Sequence, residues 1–113
     1  MRQQLLEHLN PRSFNMTIED IAEINPDALT CDGFDDAIIG MAERINLGPV
    51  VAYDVEKMIQ ILMKDMEVEE EELEEGETIE NKKYEMALEY FYYNIQGAWM
   101  GEFTPVFITT TIN

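Results

Sequence analysis

The chain has little of what small catalytic sites are usually built from: one cysteine and one histidine in 113 residues. Cys31 alone cannot close an internal disulfide, and His8 with Cys31 cannot supply the nitrogen and sulfur ligands of a zinc site. A Cys31–His8 nucleophilic pair would need positive charge beside the thiol. The neighbours of Cys31 are instead Thr30, Asp32 and two further aspartates, which raise a thiol pKa and blunt it. Basic residues are scarce as well, 7 against 24 acidic ones, for a net charge of −17. Repulsion at that density argues against direct binding to nucleic-acid phosphates and to anionic membrane surfaces. No long apolar run occurs, and Met1 to His8 lacks the apolar core of a secretion signal, so a cytoplasmic protein is expected. Gly33, Gly40 and Gly48 are too dispersed for a phosphate-cradling loop, with no lysine at the required spacing. No cofactor is expected on these grounds.

What is present suffices for one domain over residues 1–113 with a modest core. Its organising stretch runs from Cys31 to Asp54, where two short apolar, partly β-branched runs flank a turn containing Asn46 and Gly48. That pattern predicts a hairpin, with Gly48 supplying the backbone freedom. Upstream, Leu5, Leu6 and Leu9 predict a short helix over Arg2 to Leu9, stopped by Asn10-Pro11. Thr17 can cap a second short helix with the stripe Ile18, Ile21, Ala22 and Ile24, ended by Asn25-Pro26-Asp27.

Asp54 is placed to cap a helix from Val55 to about Met66, because Val55, Met58, Ile59, Leu62 and Met66 share one face. From 67 to 80 the chain carries nine glutamates and no basic residue, which predicts an exposed, flexible acidic connection. Removing those nine from the 24 leaves 15 acidic against 7 basic residues, a net of −8, so the rest of the chain is acidic too. A long helix is expected from about Asn81 to Trp99, with the stripe Tyr84, Ala87, Leu88, Phe91, Ile95, Ala98 and Trp99. A second row, Met86, Tyr90, Tyr93, Gly97 and Met100, makes it apolar or aromatic around more of its girth than one core contact uses. Thr104 to Ile112 then predicts a strand. The fold class that follows is α+β: a two-layer arrangement with a small antiparallel sheet of about three strands, hairpin plus C-terminal strand, covered by two long helices and preceded by short N-terminal ones.

Two sets of side chains could carry function. Asp32, Asp35, Asp36 and Asp54 lie at the ends of the expected strands, and Glu102 lies before the last one. Clustered carboxylates repel unless a cation sits among them, so Asp32, Asp35, Asp36 and Asp54 are a candidate divalent-cation site, with solvated turn residues and a helix cap as the plainer explanation. The second set is a recognition surface made of Tyr90, Tyr93 and Trp99, because tyrosine and tryptophan supply large contact area with a polar tip. Carboxylates at Asp35, Asp36, Glu69, Glu70, Glu71, Glu72, Glu74 and Glu75 would accompany it. The same rings could instead be core, or could pair with a second copy in a homodimer.

The segments Asp32-Gly33-Phe34-Asp35-Asp36-Ala37-Ile38-Ile39-Gly40 and Pro49-Val50-Val51-Ala52-Tyr53-Asp54 carry a resemblance. So do Ala87-Leu88-Glu89-Tyr90-Phe91, Asn94, Gly97-Ala98-Trp99 and Gly101-Glu102-Phe103-Thr104-Pro105-Val106-Phe107. In that order they resemble a family of short uncharacterised proteins encoded by tailed bacteriophages, over roughly 29–66 and 84–108. The resemblance implies origin and carries no activity or site residues. Together with the charge and the aromatic row it leads to the expectation of a small acidic phage accessory protein, not an enzyme, in the cytoplasm of the infected host cell. Its partner would be a host protein with a basic surface, belonging to defence or nucleic-acid machinery and approached by phosphate mimicry. A metal-dependent enzyme or cation-binding module on the aspartates, and a homodimeric assembly factor, are the competing expectations.

Overall fold

The computed structural model describes residues 16–110, so the helix expected over Arg2 to Leu9 lies outside the described residues, as does His8. The predicted hairpin forms: β1 (Ile38–Arg44) and β2 (Leu47–Asp54) pair antiparallel, and Arg44 faces Leu47 across the turn. The turn takes its left-handed backbone at Asn46 (φ 63°) and not at Gly48. Asparagine tolerates that region because its short side chain bonds locally.

Gly48 is needed for a different reason. It sits inside β2, where an added Cβ would come 3.0 Å from Asn25 Nδ2 and 3.1 Å from Phe103 Cε1. Asn25 is held in place, since its buried side chain donates from Nδ2 to the Pro49 carbonyl at 2.8 Å and accepts from the Asp27 amide at 3.1 Å. Replacing Gly48 by alanine should therefore cost about 1–3 kcal/mol, the range for overpacking a filled site. A urea midpoint unchanged from the native chain would show that this contact relaxes freely.

Two irregularities shape the ribbon. Ile38 faces Tyr53 but Gly40 faces Ala52, which leaves Ile39 as an extra residue on β1 beside Gly40 (φ 153°). Ala42 faces Val50 while Arg44 faces Leu47, so the second extra residue falls on β2, around Gly48 and Pro49. Proline is tolerated at such a bulge because it has no ladder amide to lose.

The helices follow their caps. In α1 (Ile18–Ile24) Thr17 Oγ1 accepts from the Asp20 amide at 3.1 Å, and Asp20 Oδ2 accepts from the Thr17 amide at 3.0 Å. That is a reciprocal capping box. Only Ile21 of its expected stripe is buried; Ile18, Ala22 and Ile24 face solvent. In α2 (Val55–Lys64) Asp54 Oδ1 accepts from the Glu56 amide at 3.0 Å and the Lys57 amide at 3.4 Å. Val55, Met58 and Ile59 of the expected face are buried, but Leu62 and Met66 are only half-buried. Met63, which is not on that face, is buried, and the helix ends at Lys64, two residues before Met66.

The glutamate-rich link contains one short turn, Glu70–Glu72, with Val68 buried and Leu73 half-buried as its apolar pins. The third helix, α3 (Ile79–Tyr90), begins at a Thr78 cap, Thr78 Oγ1 accepting from the Asn81 amide at 3.1 Å. It continues into a π-helical segment, Phe91–Gln96. The described helices are therefore 7, 10 and 12 residues long, shorter than the two long covering helices expected, with α3 extended by the π-helical segment.

β3 is three residues, Val106–Ile108, and it corrects the expected sheet. It runs parallel to β2, with Ala52 facing Val106, Tyr53 facing Phe107 and Asp54 facing Ile108, so the α+β sheet is mixed, in the order β1-β2-β3. The chain leaves the end of β2, travels through α2, the link and α3, and re-enters at the opposite end, which is the helical crossover a parallel pair requires. The two helices and the sheet close over Ile38, Val51, Tyr53, Met58, Ile59 and Phe91. The Tyr53 and Phe107 rings stack at 6.1 Å, and Phe91 meets Phe107 edge-on at 5.4 Å.

Tyr53 is wholly buried, and its hydroxyl oxygen accepts a 2.7 Å bond from the Cys31 amide. Burial pushes its pKa up to about 12, opposed in part by that bond. Because the folded value lies above the usual value near 10, the stability it contributes is complete below about pH 10 and is lost as pH rises from 10 towards about 12. Tyr53→Phe should start less stable and should lose less over that interval. Parallel melting curves at pH 9 and about 11.5 read the difference.

Candidate functional site

The exposed rings gather where α3 ends. Phe91 is 1 % exposed, but Tyr90, Tyr92, Tyr93 (83 %), Trp99 (72 %) and Met100 (69 %) all stand in solvent. The wider winding of the π-helical segment explains the contrast, since its i to i+5 bonding breaks the 3.6-residue phase that placed Phe91 in the core. The helical winding ends at Gln96, three residues short of the expected end at Trp99. Ala98 and Trp99, expected on the buried stripe, are consequently thrown outward, while Tyr84, Leu88 and Ile95 remain half-buried.

Beside these rings an apolar cleft of about 210 Å³ opens between the π-helical segment and the lead into β3. Leu29, Cys31, Ile95, Met100 and Phe107 provide its apolar wall. The Cys31 thiol pKa is raised, first by burial and further by the Asp32 carboxylate, with a side-chain bond from Tyr53 opposing. The thiol is therefore held protonated at neutral pH, the state of a poor nucleophile.

The carboxylates are dispersed. Glu69, Glu70, Glu71, Glu72, Glu74 and Glu75 are all exposed on the link before α3. The 12-residue α3 separates that link from the aromatic end by about 18 Å along its axis. Asp32, Asp35 and Asp36 are exposed around the short turn Asp35–Ala37. Asp36 shares a shallow cleft with Lys57, Gln60, Ile61 and Lys64 of α2.

Asp54, half-buried, is the α2 cap, and its Oδ1 also accepts from Thr110 Oγ1 at 3.3 Å. Ile38, the first residue of β1, faces Tyr53, and Asp35 to Ala37 form a short turn ahead of the strand. Among the described residues no three histidine, cysteine, aspartate or glutamate side chains gather so as to hold a metal ion. The four aspartates expected as a cation site thus divide between a helix cap, a lysine-lined cleft and solvated turn positions.

Glu102 contributes its backbone, its carbonyl accepting a bond from the Arg44 guanidinium, whose Nε is buried without a partner among the described residues. Three features of this end could not be found from apolar spacing: the π-helical winding, the exposure of Tyr92, and the cleft around Cys31. The run Tyr90-Phe91-Tyr92-Tyr93 was the available signal, since four successive rings cannot share one face of any helix.

No helix among the described residues is long and apolar enough to cross a membrane. In comparisons with known proteins, no family model, no curated protein and no solved structure matches the chain.

Proposed function

We propose that the chain is a small acidic accessory protein that acts by binding a protein with a basic surface, and not by turning over a substrate. The observation that carries the reading is the group of solvent-exposed rings, Tyr90, Tyr92, Tyr93 and Trp99, at one end of a chain of net charge −17. Exposed tyrosine and tryptophan are the side chains most enriched at the energetic centres of interfaces. A strong negative field speeds encounter with a cationic partner, and desolvated rings prolong the complex.

The phage resemblance makes a host protein the partner class and the host cytoplasm the place of action. In that setting the exposed carboxylates of Glu69 to Glu75, with Asp35 and Asp36, would offer such a partner negative charge in place of nucleic-acid phosphates. A metal-dependent reading has less to support it, because Asp54 already serves as a cap and Asp36 faces lysines.

The test is a comparison of the native chain with Tyr93→Ala and Trp99→Ala in capture from host lysate at low and high salt. The expected result is a basic protein retained by the native chain at low salt and lost from both variants. Retention by all three would remove the rings from the account. Sedimentation at two concentrations distinguishes the competing use of the same face as a homodimer contact.

A further inference from the structure

A second cleft, of about 230 Å³, lies on the seam between α2 and α3, closed on one side by the residues that follow β3. Glu56, Tyr84, Tyr92 and Thr109 form its walls, and Ile59 and Leu88 provide apolar surface. The Glu56 carboxylate is already oriented: Tyr84 Oη donates to one oxygen at 3.1 Å and Gln60 Nε2 to the other at 3.2 Å. Two donors leave a carboxylate with acceptor positions to spare, since its two oxygens offer about four. Tyr92 is held against Phe91 by an edge-on ring contact of 5.3 Å. A fixed carboxylate in a cleft lined by two tyrosines and by apolar surface is an environment that suits a planar cation on an aliphatic stem.

We propose that this cleft receives a single guanidinium, the side chain of an arginine on the basic partner. The inference rests on the reading of the chain as a binder of basic proteins, and it names the side chain that reading leaves open. The size is adequate, because an apolar cavity of about 150 Å³ already holds a benzene ring. Among the described residues no basic side chain lines this cleft, whereas a second depression on the seam is lined by Lys64 and Lys83 together with Glu80. Of the two, only the Glu56 cleft has a carboxylate as its sole charged lining group, which favours an arriving cation there. Burial raises the Tyr84 pKa, with the bond to Glu56 and its charge adding to the shift, as expected beside an uncompensated carboxylate.

The test titrates the full chain at low salt with N-acetyl-arginine amide, and separately with its neutral citrulline analogue, while following backbone and ring resonances by NMR. Saturable shifts at Tyr84, Tyr92 and Thr109 with the arginine probe, and none with citrulline, are expected. Glu56→Gln should weaken that binding about tenfold, the order of one charge-assisted hydrogen bond. Tyr92→Phe, which keeps the ring face, should bind like the native chain, and Tyr92→Ala should not. Melting curves confirm that each variant is folded.

Equal shifts with citrulline, or shifts confined to 69–77 and unchanged in Glu56→Gln, would overturn the assignment. The two proposals fail separately. If a basic partner is captured equally by native and Glu56→Gln chains, the cleft is wrong and the docking reading stands. If the arginine probe seats but no basic protein is captured, the docking reading is wrong.

Discussion

Phe91→Ala should remove about 3–5 kcal/mol of stability, the cost of truncating a fully enclosed aromatic side chain. Phe91 is the ring through which α3 meets the sheet, edge-on to Phe107 at 5.4 Å and to Tyr92 at 5.3 Å. Phe107 in turn stacks on Tyr53 of the central strand. Taking away the middle of that chain leaves a cavity bounded by three elements, none of which can close it without moving another. Domains of this size have roughly 5–15 kcal/mol in total, so the variant should lose a large share of its margin and melt roughly 15 °C lower. β3 is three residues long and lies at the sheet edge, so it should loosen first. Amide exchange at Val106 to Ile108, followed beside the denaturant midpoint, checks this. A loss under about 1 kcal/mol would mean that Phe91 does not join helix to sheet.

The parts of the fold that could be read from the residues are those fixed by local chemistry. Asp54 followed by Val55, Met58 and Ile59 specifies a capped helix with one buried face, and α2 forms between those limits. Thr17 with Asp20 specifies the start of α1 in the same way. The direction of β3 has no such local signal: it depends on which end of the sheet the chain reaches after α3, a property of the whole crossover. Gly48 shows a subtler limit. A glycine near a turn suggests a left-handed backbone, yet the constraint comes from Asn25 and Phe103, both distant in sequence. The candidate site divides along the same line. That four consecutive rings must include exposed ones could be anticipated, whereas the choice of Phe91 as the buried one depends on where the π-helical winding begins. The cap at Asp54 was legible from the helix that follows it, whereas the cleft that Asp36 shares with Lys57 and Lys64 depends on how α2 packs and has no local signal.

Tyr93→Ala and Trp99→Ala should show the opposite behaviour to Phe91→Ala, leaving the melting temperature close to native while each weakens partner binding by about 2 kcal/mol or more. That is roughly thirtyfold in Kd, the threshold that marks an interface hot spot. Both side chains are mostly in solvent, 83 % and 72 % exposed, so their truncation removes little from the core, and surface changes of this kind usually stay within about 0.5 kcal/mol. The glutamate link supplies the contrasting arm. Because α3 holds it about 18 Å from the rings, its charges act on approach more than on the seated complex. Neutralising Glu69 to Glu75 to glutamine should therefore lower the association rate and flatten its salt dependence. The ring variants should instead raise the dissociation rate. Surface-plasmon kinetics at two ionic strengths separate these effects. Both sets acting on one rate constant would mean that link and rings touch the partner as one continuous patch, which a separation of three helical turns makes hard to satisfy unless the partner is extended.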